Sequence, residues 1–166
     1  MSKWWESRPA GEIEAMPFLA PQVVDYLESI IKPDWNILEH GSGGSTLWFA
    51  ARCNHVTAIE NNKAWAQVIR DRGLPNVDVV ESVTMPKNYH MILIDGEPLE
   101  DRAFYLKHAE QLVNPGGFVI LDNANRPHFQ NERMELQGKC PLYTRFNGNE
   151  GGTLYLVTDF FKLRDA

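Results

Sequence analysis

Acids placed against glycines carry the chemistry of this chain. Residues 37–49 read Ile-Leu-Glu-His-Gly-Ser-Gly-Gly-Ser-Thr-Leu-Trp-Phe. An apolar run stops at Glu39, a bend follows through Gly41, Ser42, Gly43 and Gly44, and Ser45 opens an apolar helix. Glycines at such a strand–turn–helix junction let the backbone turn tightly and leave room for a ligand pressed against it. The N–H groups at the helix start add hydrogen-bond donors. Glu39 sets the ligand's charge: a carboxylate two residues before the first glycine suits a positive amino group and repels a pyrophosphate. A dinucleotide-binding bend needs a third glycine at position 46, where this chain carries Thr46. An NAD(P)-binding oxidoreductase of related fold is therefore the least favoured reading.

The pattern Glu39-x-Gly41-x-Gly43-x-Ser45 resembles the first motif of class I S-adenosylmethionine-dependent methyltransferases, of the small bacterial or phage type. The resemblance implies that Glu39 lies near the methionine moiety and that the bend, Gly41, Ser42, Gly43, Ser45 and Thr46, passes beneath it. A second motif fits. Residues 55–60 form a short β-branched strand ending in Glu60, 17 residues beyond Gly43. In the resembled family an acid there binds both ribose hydroxyls, because two carboxylate oxygens accept two neighbouring O–H groups. A solvated strand-end charge beside Asn61 is the plainer alternative. The family's contacts to adenine follow strand three, which implies Glu81 or Ser82. Gly96 beside Asp95 would admit the cofactor close to the backbone.

Asp95, Asp122 and Asn123 are the candidate catalytic residues, and they carry a partial likeness to metal-dependent catechol-type O-methyltransferases. Those enzymes end strand four in Asp and strand five in Asp-Asn, and the three oxygens hold a magnesium ion that orients two substrate hydroxyls. The two aspartates here stand 27 residues apart, and hard cations favour such donors. The family's lysine base is missing from Asp95-Gly96-Glu97-Pro98. A divalent metal is therefore not favoured, and acceptor contact is the competing role for these residues. His40 and His128 have the intrinsic pKa for general-base work, although a structural or surface role is the simpler reading of each.

The elements that must position these groups follow from periodicity. Apolar residues from Val23 to Ile31 recur at helical spacing before Pro33. Strands are expected over 36–40, 55–60, 77–80, 91–94 and 118–121, with helices over 45–52, 62–72 and 99–113. A tight turn is expected at 114–117. The run Met91–Ile94 reads as a strand covered on both faces. Residues 127–137 read as helical or irregular, and 140–147 with 153–161 as an antiparallel hairpin around Gly148, Gly151 and Gly152. The fold class is thus α/β, a doubly wound Rossmann-like sheet that is mostly parallel, with an antiparallel C-terminal hairpin. A single cofactor-binding domain over 1–166 is expected, with 1–16 as an N-terminal extension whose Trp4 and Trp5 form a lid or a packing clamp.

The 166 residues carry a net charge of −6, so long-range attraction to nucleic acid or anionic membrane is not expected. Cys53 and Cys140 stand apart, without metal-ligand spacing. No apolar signal core or spanning run is found, and a cytoplasmic location is the default. The expected function is transfer of a sulfonium methyl from S-adenosylmethionine to a small-molecule acceptor, with a homodimer as one way to complete the pocket. A non-catalytic cofactor-binding protein of the same fold is the alternative.

Overall fold

The continuous run Met91–Ile94 has no polar face to offer solvent, and it becomes the middle of a sheet. The computed structural model describes residues 13–82, 89–150 and 154–166. Its strands are β1 (Asn36–His40), β2 (His55–Ile59), β3 (Val77–Val80), β4 (Tyr89–Ile94), β5 (Val113–Leu121), β6 (Leu142–Glu150) and β7 (Leu154–Lys162). The helices are α1 (Pro21–Ile30), α2 (Gly44–Ala50), α3 (Lys63–Arg70), α4 (Leu99–Lys107), α5 (Ala109–Leu112) and α6 (Gln130–Lys139). Strand order is β3-β2-β1-β4-β5-β7-β6. β1 to β5 are parallel, and β7 runs antiparallel between β5 and β6.

Alternate residues of the central strands feed two apolar layers. Leu38, Ile92, Ile94 and Leu121 pack with Tyr105, Leu106, Phe129 and Leu136 beneath α4 to α6. Ile37, Met91, Leu93 and Ile120 pack with Val23, Leu27, Trp48 and Phe49 beneath α1 and α2. Two covered faces are what a continuous apolar strand requires. The carboxyl ends of the parallel strands, with their acids, therefore meet at one edge.

Three expectations are corrected. The tight turn at 114–117 is a bulge inside β5, since Tyr89 pairs with Val113 and Met91 with Phe118. Gly116 permits it with φ +76°. The helix expected over 99–113 breaks at His108 into α4 and α5. Gly148 lies within β6, opposite Leu156, and not at the hairpin turn. A Cβ there would lie 3.1 Å from Pro21 Cδ and 3.3 Å from Ala20 Cα, so the missing side chain makes room for the start of α1. Trp4, Trp5, Gly151 and Gly152 lie outside the described residues. Among those described, no helix is long and apolar enough to cross a membrane.

Candidate functional site

Residues 39–46 fold into a bend closed by its own side chains. Glu39 is 1% exposed. It accepts hydrogen bonds from the Ser45 hydroxyl and from Thr46 Oγ1, the latter at 2.6 Å. Thr46 Oγ1 also accepts from the Gly43 N–H at 2.9 Å. The residue that replaces a third glycine thus ties the bend to the acid. Burial pushes the Glu39 carboxyl up to about 7; the Ser45 and Thr46 bonds oppose that rise and the nearby Glu60 charge adds to it.

Glu60 stands one residue past β2 and holds the far side of the same bend. Its Oε2 accepts from Ser42 N at 3.2 Å and Ser42 Oγ at 3.1 Å, while Oε1 accepts from Asn62 N at 2.9 Å. Trp65 Nε1 on α3 donates to Ser42 O at 2.7 Å. Asn61 Nδ2 donates to Glu97 O at 2.8 Å, joining the β2 tip to the loop after β4. Glu81 and Ser82 are exposed past β3, and Glu81 makes a loose ion pair with Lys63, 3.8 Å long. Gly41 and Gly96 face each other backbone to backbone: a Cβ on Gly96 would meet Gly41 N at 2.8 Å.

Asp95 and Asp122 meet at the tips of β4 and β5 and hydrogen-bond to each other. Burial raises both carboxyls above the usual range, Asp95 the more strongly because Asp122 sits beside it. Thr158 Oγ1 donates to Asp122 Oδ1 at 3.2 Å and accepts from Ala20 N at 3.4 Å. Asn123 follows with φ 48°, a left-handed geometry that asparagine tolerates.

Beneath these tips lies Arg102, 2% exposed. Its guanidinium donates to Gly96 O at 2.9 Å, Asp95 O at 2.8 Å and Asp122 O at 2.7 Å. It also lies 3.6 Å from Asp95 Oδ1 and 3.5 Å from Asn123 Oδ1. Sequence reading missed this residue. Its signal was an arginine at a stripe position of α4, among Leu99, Ala103 and Leu106, seven residues after Asp95. Thr158 was missed as well, and nothing in its local sequence marks it.

The structure gathers Glu39, Gly41, Ser42, Gly43, Ser45, Thr46, Glu60, Asn61, Asp95, Gly96, Asp122 and Asn123 along one edge. The charges there act on one another: Glu60 raises Glu39, and Glu39 contributes to raising Asp95. His40 does not join as a base. It is buried against Tyr105, with ring centres 4.4 Å apart and Nδ1 without a partner among the described residues. Burial, reinforced by Arg102, pushes it down to about 3. His128 is exposed on the 3-10 turn Pro127–Phe129. Among the described residues, no group of three or more His, Cys, Asp or Glu side chains converges to hold a metal ion.

Solved structures share this architecture at low sequence identity. A presumptive O-methyltransferase from Klebsiella pneumoniae aligns with a TM-score of 0.69 and 22% identity, over 95% of this chain and 85% of that one. The N-methyltransferase NodS of Bradyrhizobium japonicum WM9, in complex with S-adenosylhomocysteine, gives 0.60 and 14%, over 82% and 81%. An rRNA methylase from Streptococcus thermophilus gives 0.61 and 14%, over 84% and 93%. The chain therefore has the class I methyltransferase fold. No protein-family model matches the sequence, and no curated protein matches it.

Proposed function

We propose that this chain transfers the sulfonium methyl of S-adenosylmethionine to a small-molecule acceptor bound over the tips of β4 and β5. The observation that carries this reading is the row of acids at the strand tips beside a glycine bend, with Glu39 and Glu60 tied to the two sides of that bend. A carboxyl that burial pushes up to about 7 is a place where a ligand's ammonium group gains affinity. Of the about four lone-pair sites on the Glu60 carboxylate, Ser42 N, Ser42 Oγ and Asn62 N take three, so Oε1 keeps one for a ribose hydroxyl and a second opens where the Ser42 hydroxyl turns away. Net charge −6 favours a small acceptor over nucleic acid.

The bound cofactor would supply an already activated methyl group. The protein's work is alignment, which lowers barriers by several kcal/mol. Gly41 and Gly96 allow the close approach. Asp95, about a third exposed, is the acid of the pair that an acceptor can reach. The Asp95–Asp122 pair, whose carboxyls burial raises, can take up the acceptor's proton as the new bond to carbon forms and the S–CH₃ bond breaks.

Calorimetry with S-adenosylhomocysteine tests the reading. Binding is expected, followed by incorporation of labelled methyl from S-adenosylmethionine into small-molecule fractions. Absence of binding, or an NAD-induced thermal shift in its place, would overturn it. Binding without transfer to any fraction would favour the non-catalytic alternative.

A further inference from the structure

The oxygen trio Asp95, Asp122 and Asn123 is the set that the catechol-type likeness assigns to magnesium. We infer that the Arg102 guanidinium takes the place of that divalent cation, so that this edge works without metal and Arg102 is its positioning residue.

The geometry carries the inference. A metal at such a site does two things: it fixes three oxygen groups relative to each other, and it offsets their negative charge. Arg102 does both from below. Its planar fork reaches main-chain oxygens of Asp95, Gly96 and Asp122 at 2.7–2.9 Å. The same guanidinium approaches the side-chain oxygens of Asp95 and Asn123 at 3.6 and 3.5 Å. A rigid five-donor cation can hold several acceptors at once, where a lysine offers a single point charge. The side-chain donors are also spent. Asp122 is 3% exposed and engaged by Thr158 and by Asp95. Asn123 turns its amide oxygen toward Arg102. A hard cation needs several open oxygens; here the guanidinium and the Thr158 hydroxyl already occupy them. The donor set does not fit a metal, and the missing lysine base accords with that.

The cation arm of the test needs no acceptor and no turnover. Wild-type protein, with and without S-adenosylhomocysteine, is titrated with Mn²⁺ as a magnesium surrogate and followed by electron paramagnetic resonance. No stoichiometric binding is expected up to about 1 mM, the range of weak oxygen sites. One Mn²⁺ bound per chain and released by Asp95→Asn would overturn the inference.

The positioning role is read on Arg102→Ala and Arg102→Lys. Both are expected to bind S-adenosylhomocysteine at least tenfold more weakly. Guanidinium ion at low millimolar concentration should restore affinity several-fold to the alanine variant, and Mg²⁺ should not. Rescue by Mg²⁺, or lysine matching the wild type, would overturn the inference. Should the alanine variant fail to fold, the Mn²⁺ titration of wild type still decides. The consequence for methyl transfer rests on the function proposed above. Failure of S-adenosylhomocysteine to bind wild type would remove that function and leave the Mn²⁺ result standing on its own.

Discussion

Glu39 shows how one residue can couple charge, ligand and stability. Its folded pKa is raised from 4.5 to about 7, so ionisation in the native state is resisted. The sign follows from linkage: the stabilising contribution is full below the ordinary carboxylate range and is lost as pH rises through about 7. A fully buried group shifted this far corresponds to a loss on the order of 3 kcal/mol. The ligand-free protein should therefore show a melting temperature that falls as pH climbs from about 4.5 to about 7 and levels off above that. Glu39→Gln should remove that fall and be the more stable protein at alkaline pH, while binding S-adenosylhomocysteine at least tenfold more weakly. Saturating S-adenosylhomocysteine should flatten the wild-type fall, because an ammonium near the bend offsets the carboxylate. Equal pH slopes for the two proteins in thermal melts would contradict this account. Glu39 and Glu60 could be read from sequence because each ends an apolar strand within a few residues of its glycines or turn. Arg102 and Thr158 could not, because their roles arise when α4 and β7 bring them to Asp95 and Asp122.

At the scale of elements, the tips of β1 and β4 approach until backbone meets backbone. Gly41 takes φ +95°, and a Cβ there would lie 2.9 Å from Gly96 Cα. On Gly96, a Cβ would meet His40 C and Cδ2 at 2.9 Å. These neighbours are main chain or a packed ring, so they cannot yield cheaply. Gly96→Ala is expected to cost about 1–3 kcal/mol in urea unfolding, as overpacking does, and to weaken S-adenosylhomocysteine binding. Gly138 within α6 provides the contrast. Nothing lies within 4 Å of a Cβ built there, and Gly138→Ala should stabilise by about 0.5–1 kcal/mol through helix propensity. If both alanines proved neutral, close approach would not be the reason for glycine at position 96. Trp65→Phe addresses the other anchor. It keeps the ring packing of α3 but loses the bond to Ser42 O, worth about 1 kcal/mol. Cofactor affinity should suffer more than melting temperature, because the bend is what that bond holds.

For the molecule as a whole, the order of strands and helices was legible because apolar runs, glycines and prolines punctuate it locally. The bulge in β5, the break at His108 and the run of β6 through Gly148 were not. Each depends on what a neighbouring element leaves room for. The same holds for the ionic cluster that fastens the antiparallel edge to the rest of the fold. Asp159 on β7 is fully buried and accepts from Arg145 Nε at 2.7 Å and Nη2 at 3.0 Å. It also accepts from Arg133 Nη1 at 3.2 Å and Tyr143 Oη at 3.0 Å. One carboxylate thus joins α6, β6 and β7, next to the Thr158 that holds Asp122. Asp159→Ala leaves two guanidiniums facing each other, one of them on a side chain only 10% exposed. Removing one partner from a buried ionic cluster costs about 3–5 kcal/mol, and urea unfolding should show a loss of that size. Combining it with Arg133→Met should recover part of the loss, because the uncompensated buried cation is then gone. A single-variant loss below about 1 kcal/mol, the range of exposed pairs, would mean that the hairpin is held by Phe160 and Phe161 packing and not by charge.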